Sequence, residues 1–273
     1  MMLPSHLTSD RNTLETVSAQ QSKAIGLGNG SILCRVLGRY KLYADANDIG
    51  IAPHLALEGF WESWITVALA RALQPGFFCV DVGANHGYYT LLMADGVGPA
   101  GRVLAVEPNP RMTSLIARSV QVNGFQHRVS VLAKALSDAT SPATKLVFPP
   151  NQASGATICR EPTGSDEAID VEVTTADEAL AGWPRVDVMK IDAEGAEEGI
   201  FRGMRQTIER NPGLTIVMEV NPVRYQDPGG FVASIRAAGF PLCQVAYDGS
   251  IQPMTERAFL ESPDDSMLYL RRS

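Results

Sequence analysis

Cysteine is scarce in this chain and nowhere paired in sequence: Cys34, Cys79, Cys159 and Cys243 form no C-x-x-C spacing, which argues against a zinc knuckle or a disulfide framework. Cys79 and Cys243 fall in apolar runs, so buried reduced thiols are expected. No stretch has the unbroken apolar length of a membrane span, and the start MMLPSHLTSDRN has neither the basic nor the apolar region of a secretory signal. A cytoplasmic protein is therefore expected. Long basic runs are missing too, and with a formal net charge of -7 a nucleic-acid backbone is disfavoured as the main partner.

What is present suits one α/β domain plus an extension: 273 residues, 45% of them hydrophobic, can bury a sizeable core. The chain organises around Phe77 to Thr90, FFCVDVGANHGYYT. Phe77, Phe78, Cys79, Val80 and Val82 read as a strand covered on both faces. Asp81 interrupts the run, and a carboxylate at that place is costly without a polar or cationic partner, which points to a ligand. Gly83 and Gly87 bracket Ala84, Asn85 and His86 in a turn that lets the backbone approach a bound molecule. A second strand, Arg102 to Glu107, ends in acid at the spacing where nucleotide-binding units receive a ribose diol.

A dinucleotide fingerprint wants a further glycine where this chain has Asn85, and it would set a pyrophosphate beside Asp81. S-adenosylmethionine carries no phosphate, and its sulfonium and ammonium are favoured by an acidic pocket. The residues favour that cofactor over a nicotinamide dinucleotide.

VDVGANHGYYT (Val80 to Thr90), VEPNP (Val106 to Pro110) and KIDAEGAE (Lys190 to Glu197) resemble, in order, the signature blocks of the FkbM-type family of class I S-adenosylmethionine-dependent methyltransferases. The similarity extends from about Leu42 to the C-terminus. The resemblance implies a Rossmann-like α/β fold with a seven-stranded, mostly parallel sheet flanked by helices. It also implies O-methylation of a hydroxyl on a sugar, glycolipid or polyketide-type acceptor. Family members often carry an aromatic-Glu pair ahead of the first strand, which here is Trp61-Glu62. Candidate cofactor contacts are Glu62, Asp81, Gly83, Ala84, Asn85, Gly87, Glu107, Asn109, Ala135, Leu136 and Asp192.

Residues 1–30, rich in Ser, Thr, Gln, Asn and Gly, read as a flexible arm with a weak helix over Leu14 to Ala24, suited to covering a neighbouring subunit in a homo-oligomer. Residues 31–76 read as an appended hairpin around Gly38-Arg39 and a helix with Trp61, Trp64, Ile65, Ala68, Leu69 and Ala72 on one face. Residues 77–273 then form the methyltransferase domain. Pro110 suits the first position of a helix that runs to Val122, and Val129 to Leu132 form a third strand. Around residues 140–175 the alternation of strand and helix is interrupted by half-exposed strands, an insertion expected to shape the acceptor site.

Val186 to Asp192 and Leu214 to Val220 read as further strands ending in acid, with one helix carrying Ile200, Phe201, Met204 and Ile208 between them; Pro241 to Tyr247 and Met267 to Arg271 are the last two. Asp81, Asp192, Glu194 and Glu219 would thus converge, and like charges in a cleft need a cation. Hard oxygen ligands of this kind suit Mg²⁺, but the match is incomplete and no metal is the expectation. An alcohol must lose its proton, and Glu194, with Asp192 or Glu219, is the candidate general base ahead of Lys190 or the unplaced His54. Arg224, Tyr225 and Tyr247 are weaker candidates for the acceptor border, and Asp264-Asp265 reads as a solvated turn. The alternatives are an NAD-linked oxidoreductase and a non-catalytic cofactor-binding protein on the same fold.

Overall fold

The computed structural model describes residues 3–152 and 155–272. Asp10 caps the first helix, α1 (Arg11–Gln21), by accepting the Thr13 N–H, and Leu14 and Ser18 are buried. A small antiparallel sheet follows, β1 (Lys23–Gly26), β2 (Ser31–Val36) and β3 (Tyr40–Asp45). The described part of the expected arm is therefore helix and strand, because Leu14 reaches the same apolar cluster as the hairpin residues Val36, Tyr40 and Leu42. Two helices complete the extension, α2 (Ala52–Leu57) and α3 (Ser63–Ala72). The apolar face predicted from Trp61 onward is α3, which starts only at Ser63 because Glu62 takes a left-handed backbone, φ 40°.

The main sheet begins with β4 (Phe78–Val82), α4 (Tyr88–Val97), β5 (Arg102–Val106), α5 (Pro110–Val122) and β6 (Val129–Leu132). Asn109 caps α5 by accepting the Arg111 N–H, with Pro110 at the first turn as expected. The interrupting segment forms a separate sheet: β7 (Ala135–Leu136), β8 (Ser141–Phe148) and β9 (Glu167–Thr174), in the order β7-β9-β8. The chain returns through α6 (Ala176–Ala179) to β10 (Val188–Ile191), α7 (Glu197–Arg202), α8 (Arg205–Arg210) and β11 (Thr215–Val220). The single helix expected after β10 is broken at Gly203, where an added Cβ would lie 2.1 Å from the Ser137 carbonyl oxygen. Then come α9 (Pro228–Ala237), β12 (Cys243–Val245), β13 (Ile251–Pro253), α10 (Glu256–Leu260) and β14 (Ser266–Arg271).

The large sheet has eight strands in the order β13-β12-β14-β11-β10-β4-β5-β6. Its seven main strands match the expectation; the eighth, β13, is a three-residue edge strand ending in Pro253, too short to leave a pattern. β4, β5, β6, β10 and β11 run parallel, and β14 closes antiparallel on β11. Alternation along the strands splits the core: Cys79, Val103 and Val188 pack with the extension, α4 and Ile116 of α5, whereas Val80, Leu104 and Met189 pack with Ile200, Phe201 and the later helices. β4 and β10 are the central pair from which the connections diverge, and that is where open α/β sheets bind ligands. Among the described residues no helix is long and apolar enough to cross a membrane.

Candidate active site

At the end of β4 the chain must turn under the neighbouring strand. Gly83 has φ +72°, and an added Cβ would lie 1.7 Å from the Asp192 carbonyl oxygen. Only glycine fits, since both the conformation and the contact exclude a side chain. Asn85 is also left-handed, φ 50°, which points its N–H toward Glu107. Glu107 Oε2 accepts that N–H at 2.8 Å, and Oε1 accepts the Asn109 N–H at 2.8 Å. The carboxylate is thereby fixed by backbone donors on each oxygen, each with a lone pair left for a further donor. Burial pushes Glu107 up to about 7 against those two hydrogen bonds.

The acid side of the site is built differently. The parallel register sets Lys190 beside Asp81 on the adjoining strand, and Lys190 Nζ donates to Asp192 Oδ2 at 2.9 Å. Burial works against this ammonium, but Asp192, Asp81 and Glu62 outweigh it and hold it protonated above the ordinary lysine value. Its Nζ also lies 4.5 Å from the centroid of the Tyr89 ring, and the Tyr89 hydroxyl donates to Glu62 Oε2 at 2.9 Å.

Beyond Asp192 the chain enters a second left-handed turn, with Glu194 at φ 53° and Gly195 at φ 101°. Glu197, at the start of α7, staples it: the carboxylate accepts the N–H groups of Ala193 (2.8 Å) and Gly195 (3.0 Å) and the Tyr225 hydroxyl (2.9 Å). Thr157 Oγ1, from the segment between β8 and β9, donates to the Glu194 carbonyl at 2.8 Å. The Glu194 side chain is thus carried on a held backbone. Arg224 answers three carboxylates: Glu194 at 3.0 Å, Glu219 at 3.4 Å and Asp265 at 3.2 Å. Burial first and then Asp192 push Glu194 up to about 7, and the same two causes raise Glu219.

These groups meet in one cavity of about 410 Å³. Of the residues proposed from sequence, Glu62, Gly83, Ala84, Asn85, Glu107, Ala135, Leu136, Asp192, Glu194 and Glu219 line it, and Asp81, Gly87 and Asn109 do not. Asp81 is fully buried behind the wall, where the Thr90 hydroxyl donates to it at 2.5 Å and Lys190 is its counter-charge. Its bonded partner is thus the Thr90 hydroxyl, its other oxygen has no hydrogen-bond partner among the described residues, and the lysine of the next strand acts on it as a nearby charge. Gly87 opens α4 where a side chain would press on Ile116, and Asn109 acts through its N–H on Glu107. His54 also stands off the cavity, paired with Glu58 at 3.2 Å and beside Trp61 at 5.2 Å.

Several contributors escape sequence reasoning. Asp265, expected as a solvated turn, lines the cavity and binds Arg224. Glu197 holds a turn without lining the cavity, and only an acid in the first turn of a helix hinted at it; Tyr225, expected at the acceptor border, does not line the cavity either and donates to Glu197. His86 lines the cavity and is 1% exposed, yet among the described residues neither ring nitrogen has a hydrogen-bond partner. Its Nε2 stands 3.7 Å from Asp48 Oδ2, too long for a hydrogen bond, and burial lowers His86 to about 4, so the two are not an ion pair at neutral pH. Leu146, Gln152, Ala156 and Ile158 bring the interrupting segment to the rim, where the Ile49 N–H donates to the Asn151 carbonyl at 2.9 Å and joins it to the extension.

Three of the five non-glycine residues with positive φ among the described residues, Glu62, Asn85 and Glu194, line this cavity. Such backbone conformations cost roughly 1–3 kcal/mol each and persist where the surroundings enforce them, as they do at functional sites. Asp192, Glu194 and Glu219 also bring carboxylate oxygens within 4.8 Å of one another. Lys190 pairs with Asp192 and Arg224 with Glu194 and Glu219, and no metal is assigned to them.

The chain has relatives among characterised proteins. It is 26% identical over 157 residues to methyltransferase sdnD of Sordaria araneosa, a match covering 46% of this chain and 60% of that protein. It is 39% identical over 59 residues to the protein-L-isoaspartate O-methyltransferase of Aeropyrum pernix, covering 22% of this chain and 23% of that protein. The chain thus spans less than two thirds of the length of these relatives. Among solved structures it aligns with methyltransferase FkbM from Methylobacillus flagellatus KT at 13% identity and a TM-score of 0.45, over 76% of this chain and 53% of that one. The family model described as the methyltransferase FkbM domain matches residues 81–242, more than half of the chain. That span runs from the acid beneath the glycine turn, through Glu107 and the stapled Glu194 turn, past Arg224, and by this match the chain belongs to the FkbM methyltransferase family.

Proposed function

We propose that the chain is an S-adenosylmethionine-dependent O-methyltransferase acting on a hydroxyl of a sugar, glycolipid or polyketide-type acceptor, with its methyltransferase domain over residues 77–273. The observation that carries this reading is the meeting of a backbone-pinned acid, Glu107, with an acid cluster from β10 and β11 in one cavity. The residues fit the cofactor. Glu107 would accept both ribose hydroxyls, and Ala135 and Leu136 would cover the adenine. Glu62 and Asp192 would meet its positive groups, while the Gly83–Asn85 turn leaves room for close backbone approach. When bound, the cofactor supplies an electrophilic methyl group on a sulfonium.

The protein's part is then to exclude water, orient the acceptor and take up its proton. Glu194 is the group we assign to the proton, with Glu219 and Asp192 beside it. Lys190 is held protonated and is not a base. The acceptor would enter past the segment 140–175, whose Gln152, Ala156 and Ile158 stand at the rim. No specific observation favours a nicotinamide cofactor, and Asn85 occupies the place where a pyrophosphate needs glycine.

Calorimetric titration tests the cofactor: S-adenosylmethionine is expected to bind and NAD not to, and the reverse would overturn the reading. A methyl-transfer screen over neutral sugars, glycolipids and polyketides tests the acceptor. In Glu194→Gln the cofactor affinity is expected to change less than about threefold while turnover falls at least about 100-fold, the scale of general-base catalysis. Unchanged turnover would remove Glu194 from that role.

A further inference from the structure

Besides Glu107, five carboxylates line the inner end of the cavity: Glu62, Asp192, Glu194, Glu219 and Asp265. The cations paired with them are Lys190 from β10, on Asp192, and Arg224 from the turn after β11, shared among Glu194, Glu219 and Asp265; Lys134, also in the cavity wall, is paired instead with Glu172 at 2.8 Å. Asp81, behind the wall on β4, draws on the same Lys190. The remaining titratable neighbours are three phenols, Tyr88 and Tyr89 from α4 and Tyr225, of which Tyr89 and Tyr225 donate to carboxylates, the His86 imidazole of the wall, and Glu197 of α7, whose oxygens are taken by backbone N–H groups and Tyr225. With every acid ionised, the two cations paired with the cluster would face five anions, four of them half-buried. Like charges this close cannot all ionise without a further cation.

The cavity wall also carries polar atoms with no protein partner among the described residues: Asn85 Oδ1 and both ring nitrogens of His86, whose Nε2 lies 3.7 Å from the equally unpartnered Asp48 Oδ2. Buried polar groups in native proteins are nearly always satisfied.

We propose that Glu62, Glu194 and Glu219, packed beside the other two acids of the cluster, retain a shared proton in the cofactor-free protein and release it when a sulfonium enters, so that the base for the acceptor hydroxyl exists only in the loaded enzyme. This rests on the S-adenosylmethionine reading above. The carboxylate vacated in this way takes the hydroxyl proton onto an oxygen atom and leaves the O–H electron pair on the acceptor. Without the cofactor the site holds its own proton and cannot remove another. The demethylated product, S-adenosylhomocysteine, keeps the ammonium and the carboxylate but has a neutral sulfur, so it lacks the charge that drives the release.

The test is calorimetric titration of the whole chain with each compound near pH 7, in phosphate and in Tris, whose different ionisation enthalpies convert a heat difference into a proton count. About half to one proton is expected to leave on binding S-adenosylmethionine and close to none on binding S-adenosylhomocysteine. In the double variant Glu194→Gln, Glu219→Gln the difference between the two compounds is expected to shrink at least twofold. Equal proton counts for the two compounds in the unmodified protein would overturn the inference while leaving the cofactor reading intact. Failure of both compounds to bind would overturn the cofactor reading, and the inference with it.

Discussion

The two halves of the cavity hold their acids by opposite means. Glu107 is fixed by backbone N–H groups at both oxygens, in a turn whose shape is dictated by Gly83 packing on the Asp192 carbonyl. Asp192, Glu194 and Glu219 are held by shared side-chain cations, Lys190 and Arg224, and Arg224 itself is partly exposed. A backbone-held acid has one geometry and answers little to its surroundings. An acid held by a shared cation responds to every charge that enters. The first half is a fixed receptor and the second an adjustable one.

The harshest way to break the contrast is Gly83→Ala. The added carbon would overlap the Asp192 carbonyl at 1.7 Å in a left-handed conformation, and a loss of at least about 3 kcal/mol is expected. A urea midpoint like that of the unmodified protein would show that the two strand ends are not locked together.

Lys190→Met comes next, removing the buried ammonium shared by Asp192, Asp81 and Glu62. Breaking a buried pair in this way is expected to cost on the order of 3 kcal/mol near neutral pH. The loss should be smaller in mild acid, where the orphaned carboxylates protonate; an equal loss at both pH values would argue that the lysine serves packing alone.

The smallest effect sharpens the contrast. Glu194 and Glu107 have folded values near 7 against an ordinary value of 4.5, so the folded protein binds more protons than the unfolded chain between those limits. Stability from these groups is therefore full below about pH 4.5 and is lost as pH rises through about 7. Melting temperatures of the cofactor-free protein should fall across that window. Glu194→Gln is expected to remove about 1 kcal/mol of the fall, the remainder staying with Glu107, Glu62 and Glu219, which burial raises as well. An unchanged slope would show that Glu194 is ionised throughout.

Much of this site could be read from the chain. Gly83, Glu107 and Asn109 stand in short apolar strands followed by turn and cap residues, and such local patterns survive folding because backbone geometry enforces them. The same reading put Asp81 in contact with a ligand. The alternation along β4 and its register with β10 instead turn Asp81 inward, to Lys190 and Thr90. From sequence Asp265 reads as a solvated turn, because its partner Arg224 lies 41 residues away and no local pattern announces the pairing.

Periodicity and conformations open to few residue types were enough to place the seven main strands, α3, α5, the glycine turn and the acids at strand ends, but not β1, β13 or the break between α7 and α8. Only the tertiary structure decided which acids face the cavity, which cation each one shares and how the interrupting segment closes the rim. Those outcomes depend on register between strands distant in sequence, and charge interactions act through space rather than along the chain.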